Sequence, residues 1–144
     1  MRKLGGLAMM ALALSWATSA HATIWIHSDS GGRIEDYLSR YRSARASNER
    51  VVIDGSCLSA CTLVLGIVPR GRLCATQNAT LGFHSAWEPD DHGHAVISAR
   101  WTHVVLANLP GAIRHWISRR GGLRTEMLYL RGPELAQFVP ACTA

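Results

Sequence analysis

One serine, one histidine and a pair of glycines carry most of the chemical interest of this sequence. Ser59 lies in Gly55-Ser56-Cys57-Leu58-Ser59-Ala60-Cys61, between one apolar run and the next. A serine where a strand turns into a helix points its hydroxyl away from the sheet, and the following N–H lies at the positive helix end. Gly31-Gly32 occupies a similar junction earlier in the chain. Paired glycines let backbone N–H groups approach a ligand closely. Gly31, Gly32 and Ala60 are therefore candidates for an oxyanion hole, with the N–H groups of Gly32 and Ala60 as its donors. Serine is a weak nucleophile at neutral pH and needs a base. His84, in Gly82-Phe83-His84, ends a predicted strand 25 residues after Ser59. The same residues have plainer uses. Ser59 would serve as a helix N-cap, and His84 as a half-buried polar residue at a strand end.

Other chemistries are narrower. Lys3 is the only lysine, so a Ser–Lys dyad, a Schiff-base lysine and a P-loop lysine are all closed to the folded domain. Cys57, Cys61, Cys74 and Cys142 are disulfide candidates, and four cysteines allow three pairings. A bridge from Cys57 or Cys61 to Cys74 would close a loop of about 15 residues and stabilise by roughly 3 kcal/mol in the chain-entropy account. Cys57-Leu58-Ser59-Ala60-Cys61 lacks the Cys-x-x-Cys spacing of redox motifs. Glu88, Asp90, Asp91, His92 and His94 form a dense polar cluster. Its His-x-His could ligate a divalent ion, and Asp90 or Asp91 could orient His84. A charged loop containing Pro and Gly is more often simply solvated, so no metal and no cofactor are assigned. Trp87, Trp101 and Trp116, beside apolar neighbours, read as core.

The elements that must position these residues follow from periodicity. Thr23 to His27 is β-rich and is broken by Ser28-Asp29-Ser30-Gly31-Gly32. From Ile34 the apolar positions switch to helical spacing, with Ile34, Tyr37, Leu38 and Tyr41 on one face, and Asn48 ends that region. Val51 to Gly55 reads as a buried strand, Ala60 to Val68 as a second apolar segment, and Leu73–Thr76 and Thr80–Phe83 as short strands. Glu88 to His94 reads as a polar loop, followed by helices over Val96–Asn108 and Gly111–Arg120 and a short helix over Pro133–Phe138. Strand–helix alternation predicts an α/β domain with short, largely parallel strands and flanking helices.

The chain has 144 residues, room for one domain. Residues 1–22 read as a signal peptide: Arg2 and Lys3, then an apolar run from Leu4 to Ala17, then Ala20-His21-Ala22. That run is too short to span a bilayer, which takes roughly 20 residues. Cleavage would leave residues 23–144 as a single domain, periplasmic or secreted, with no membrane span. Removing those 22 residues lowers the basic excess from 15 against 10 to 13 against 10, or +3. So small a charge gives no reason to propose nucleic acid as a partner.

Three motifs in order carry a family resemblance. Ile26-x-Ser28-x-x-Gly31-Gly32, then Cys57-Leu58-Ser59-Ala60-Cys61, then an apolar strand ending in His84, resemble the proteolytic subunit of Clp protease, a member of the crotonase-like fold. Gly132-Pro133-Glu134-Leu135 is similar to that family's Pro-Glu helix start, and the likeness covers most of residues 24–138. In particular the chain is similar to small exported Clp-protease-like proteins of bacteria. The resemblance implies a reduced crotonase-like core and a serine hydrolase acting on a peptide substrate. Ser59 would be nucleophile, His84 base, and Gly31, Gly32 and Ala60 the oxyanion hole. The family's catalytic aspartate falls on Met127, with Glu126 next to it as the candidate substitute. The family forms rings, so a homo-oligomer is an assembly the resemblance allows. An ATP-driven unfoldase is not expected as partner, because no ATP pool is available to an exported protein. The related signal peptide peptidases use a lysine base, which this domain lacks. The family also has further strands and a helix before its Gly-Gly strand, so the sheet here is either smaller or completed by a partner. A degenerate binding or assembly protein without hydrolase activity is the alternative.

Overall fold

The computed structural model describes residues 22–143, so the expected signal sequence, apart from Ala22, lies outside the described residues. Strand β1 (Thr23–Asp29) leads through helix α1 (Ile34–Ala46) to strand β2 (Arg50–Leu58). The two strands run parallel, with Thr23 beside Arg50 and Asp29 beside Cys57. A parallel pair needs a crossover, and α1 supplies it. Leu38, Tyr41 and Ala44 turn the buried side of α1 to the sheet. Beyond it Asn48 takes a left-handed φ of 58°, a conformation asparagine tolerates better than most residues.

β2 is the spine of the sheet, and it leads through a 3₁₀ turn into the short helix α2 (Val64–Ile67). Along the far side of β2 lie two short parallel strands end to end. Strand β3 (Leu73–Ala75) pairs with Val51 to Ile53, and strand β4 (Thr80–Phe83) pairs from Ser56 to Leu58. Asp54 pins the turn between them. Its Oδ1 accepts hydrogen bonds from Thr76 Oγ1 at 2.6 Å and Asn78 Nδ2 at 3.0 Å, while His27 Nδ1 lies 3.2 Å from Oδ2. β4 pairs on its other edge with an antiparallel strand, labelled β7 below, at Leu128–Arg131. The product is a mixed α/β domain with a mostly parallel sheet and flanking helices. Val51, Ile53 and Leu81 from the sheet meet Tyr41, Leu63, Ile113 and Trp116 from the helical side, all essentially inaccessible to solvent. Burying an aliphatic or aromatic side chain of this kind is worth about 1.5–3 kcal/mol.

Several sequence expectations change. The polar loop at Glu88–His94 is a hairpin, with strands β5 (Trp87–Pro89) and β6 (Ala95–Ile97) around its turn. Val96 and Ile97 pair with Glu88 and Trp87, which removes them from the helix predicted to begin at Val96. Helix α3 (Ala99–Asn108) starts instead where Ser98 caps it, its Oγ accepting from the Trp101 N–H at 3.3 Å. Helix α4 (Gly111–Ser118) follows, then β7, which the periodicity did not predict, and helix α5 (Gly132–Leu135). Four residues are too few to establish an alternation, and only Leu130 of β7 is buried.

Both disulfides form, but neither joins Cys74 to the Ser59 segment. The bridges are Cys57–Cys61 and Cys74–Cys142. Register gives the reason: Cys74 lies beside Val52. Cys57 is five residues further along β2, about 16 Å at 3.3 Å per residue, far beyond the roughly 7 Å a disulfide can reach between Cα atoms. The end of the chain comes to Cys74 instead, where Ala75 and Ala141 form a parallel bridge and the Cys142 N–H donates to the Ala75 carbonyl. With sequence separations of 4 and 68, chain entropy assigns the bridges about 2 and 4 kcal/mol respectively. Two disulfides are compatible with an exported protein. Among the described residues no helix is long and apolar enough to cross a membrane.

Candidate active site

Ser59 begins where β2 stops, as the first residue of a 3₁₀ turn over Ser59–Leu63. Its φ is 57°, in the left-handed region. For a serine this conformation costs of order 1–3 kcal/mol and persists only where surrounding contacts impose it. Thr62 Oγ1 donates to the Ser59 carbonyl at 2.7 Å. From the other side comes Gly31, itself at φ 83°. A Cβ on Gly31 would stand 2.7 Å from Ser59 Cβ, 2.8 Å from the Leu58 carbonyl and 3.0 Å from the Ala60 nitrogen. Glycine is required there by its torsion and by the space it leaves.

Asp29 organises the glycine loop. Its Oδ1 accepts the Gly31 N–H at 2.9 Å and the Tyr37 hydroxyl at 2.5 Å, and Oδ2 lies 3.5 Å from Arg40 Nη1. Burial, followed by that hydrogen bond to Asp29, pushes the Tyr37 phenol up to about 12. The Gly31 N–H is thus engaged by Asp29, and Gly31 contributes to the expected oxyanion hole by its close packing on Ser59. The N–H groups of Gly32 and Ala60 make no hydrogen bond among the described residues.

Ser59, Gly31, Gly32 and His84 line one cleft of about 760 Å³. Its apolar walls are Phe83, Ala86, Trp87, Trp101 and Val105, and Arg33, Glu35 and Glu88 bring charge to it. Trp87, 59% exposed, and Trp101 belong to this cleft and not to the core, whereas Trp116 is buried as expected. The reason is the hairpin, which lifts Trp87 off the sheet.

His84 is less well supported than Ser59. It follows β4 directly and is half-buried. Among the described residues no hydrogen bond joins it to Ser59, and no carboxylate meets its ring. The β4–β7 ladder ends at Phe83 and Leu128, and beyond it the Ser85 N–H donates to the Arg124 carbonyl at 2.7 Å, so the register breaks at His84. The Met127 thioether packs over Gly82, 2.8 Å from where a Cβ would stand. Glu126 is exposed and lies outside the cleft lining, so the structure does not bring it to His84.

The other expected acids are also elsewhere. Asp90 Oδ1 accepts the N–H groups of His92 and His94, both at 2.8 Å, and its Oδ2 faces His94 Nδ1 at 3.3 Å. These bonds, led by the His94 N–H, hold its carboxyl below the usual range. Asp91 is exposed in the same turn. Among the described residues no three His, Cys, Asp or Glu side chains gather as a metal ion would require. Aspartate two residues before a glycine pair is a recognisable turn former, and that is the one signal in the sequence for the organising role of Asp29. Glu88, expected in a polar loop, lies on β5 and lines the cleft.

No family model and no curated protein matches this chain. A solved structure described as "Crystal structure of an Enzyme" is similar, with a TM-score of 0.54 at 10% identity over 83% of this chain and 76% of that one. At that identity the likeness concerns the fold alone.

Proposed function

We propose that the protein is an exported serine hydrolase acting on peptides. Ser59 is the nucleophile, His84 the general base, and the Gly32 and Ala60 N–H groups the oxyanion hole. The observation that carries this reading is the left-handed Ser59, pressed against Gly31 at the floor of a cleft that also contains His84. A serine used only as a helix cap has no need of that conformation, since capping residues sit in the extended region. In the reaction His84 takes the Ser59 hydroxyl proton as Oγ attacks the scissile carbonyl, and the Gly32 and Ala60 N–H groups receive the oxyanion. His84 then gives the proton to the leaving amine, and water repeats the sequence on the acyl-enzyme. The resemblance to the Clp proteolytic subunit points to the same roles. Catalytic hydrogen bonds are often long before substrate arrives, so the missing Ser59–His84 bond is compatible with this mechanism. With Met127 in place of the orienting acid, turnover should be slow, since loss of that group can cost about 10⁴ in rate.

One observation favours a second reading. Among the described residues no carboxylate meets the His84 ring, and the Met127 thioether packs over nearby Gly82, as expected of a degenerate protein that keeps the fold for binding. Labelling with a fluorophosphonate separates the two. The hydrolase reading expects modification of Ser59 that disappears in Ser59→Ala and slows about 10²- to 10⁴-fold in His84→Ala. Absence of Ser59-dependent labelling would leave the binding reading.

A further inference from the structure

We infer that the Cys57–Cys61 disulfide is a positioning device that holds Ser59 in its left-handed conformation. Its consequence for reactivity rests on the hydrolase reading; its consequence for the backbone does not. The bridge links the residue two before Ser59 to the residue two after it, with Cα atoms 5.3 Å apart. Four extended residue steps would separate those atoms by about 13 Å. The bridged chain must therefore fold back within its three intervening residues, and Ser59, at the apex, carries the φ of 57°.

Both ends of the bridge are fixed. Cys57 lies in the middle of the sheet, beside Asp29 on one edge of β2 and Leu81 on the other. Cys61 is fully buried in the 3₁₀ turn, with the Tyr41 hydroxyl 3.6 Å from its sulfur. The remaining restraints on Ser59 are weaker. Thr62 grips only the Ser59 carbonyl, and Gly31 fills space without binding. The other disulfide offers an internal control: Cys74–Cys142 ties the chain end to β3, away from the cleft. Its long closed loop makes it the larger contributor to stability, whereas the short bridge acts chiefly on local geometry. Cys57 and Cys61 touch no substrate and act through Ser59.

The test compares wild type with Cys57→Ala/Cys61→Ala and with Cys74→Ala/Cys142→Ala. Ser59 φ is read from N–H to Hα scalar couplings, folding from circular dichroism and Tm, and reactivity from the rate of fluorophosphonate labelling per folded molecule. In Cys57→Ala/Cys61→Ala, Ser59 should leave the left-handed region with the sheet intact, and labelling should slow about ten- to a hundredfold. Cys74→Ala/Cys142→Ala should lower Tm further yet keep both the torsion and the labelling rate. A Ser59 that stays left-handed without its bridge overturns the inference, and an altered torsion with undiminished labelling overturns the link to reactivity. If wild type is not labelled at all, the hydrolase reading fails, and the coupling measurement still decides what the bridge does. Should the alanine pair not fold, Cys57→Val/Cys61→Ala, which fills more of the space, carries the same measurements.

Discussion

The two sides of the cleft are built to different standards. On the Ser59 side a disulfide, a glycine at positive φ and a threonine hydroxyl converge on one strained residue, and Asp29 ties the adjoining loop to α1. On the His84 side the imidazole stands at a strand end with no carboxylate among the described residues, in a cleft walled by a hairpin whose Trp87, Val96 and Ile97 are largely exposed. Strain is retained only where the surroundings enforce it, so the contrast teaches that this fold maintains the serine's conformation at a cost and leaves the histidine to its neighbours. In the hydrolase reading that gives a well-aimed nucleophile with a poorly oriented base.

The largest effect should come from breaking the well-built side. Gly31→Ala introduces both an unfavourable torsion and a clash with Ser59, Leu58 and Ala60, for a loss of about 2–5 kcal/mol in denaturant unfolding. A stability change below about 1 kcal/mol would show that this side is loose after all. Sharpening the other side is a gain experiment. Met127→Asp places a carboxylate at the position the resemblance assigns to the orienting acid and should raise the fluorophosphonate labelling rate tenfold or more, against a ceiling near 10⁴. Glu126→Gln should change nothing, because Glu126 is exposed and outside the cleft.

The smallest effect lies outside both regions and serves as the baseline. Hydrogen bonds from Thr76 and then Asn78, with His27 nearby, hold the Asp54 carboxyl below its usual range. A carboxylate with a lowered folded pKa contributes stability above its unfolded pKa of about 3.9 and loses that contribution as pH falls through the lowered value. Asp54→Asn should therefore cost a little Tm at pH 6 and progressively less as pH drops below 4, as thermal melts across that range would show.

The parts of the site legible in the sequence are those set by residue type at an element boundary. Ser59 and His84 each lie at a strand end, and Gly31-Gly32 follows a strand, so local pattern was enough to nominate them. What could not be read depends on register and direction. Disulfide pairing is decided by which residue of β2 lies beside Cys74, and no local pattern encodes that. The packing of Met127 over Gly82 follows from β7, a strand too short to show a period. Trp87 looks like core beside Ala86, yet a three-residue strand turns it outward into the cleft. Asp29 reads as a turn residue, while its link to Tyr37 depends on how α1 packs.

Trp87 has an optical consequence. Indole emission shifts with the polarity of its surroundings, and this indole stands more than half exposed on the wall of the cleft, with Trp101 half-buried beside the same space. Trp116 is sealed in the core. Occupation of the cleft would change the emission of the first two while leaving Trp116, and Trp25 on β1 outside the cleft lining, as a constant background. The protein thus carries its own fluorescent reporter of binding, usable with candidate peptides whether or not they are cleaved.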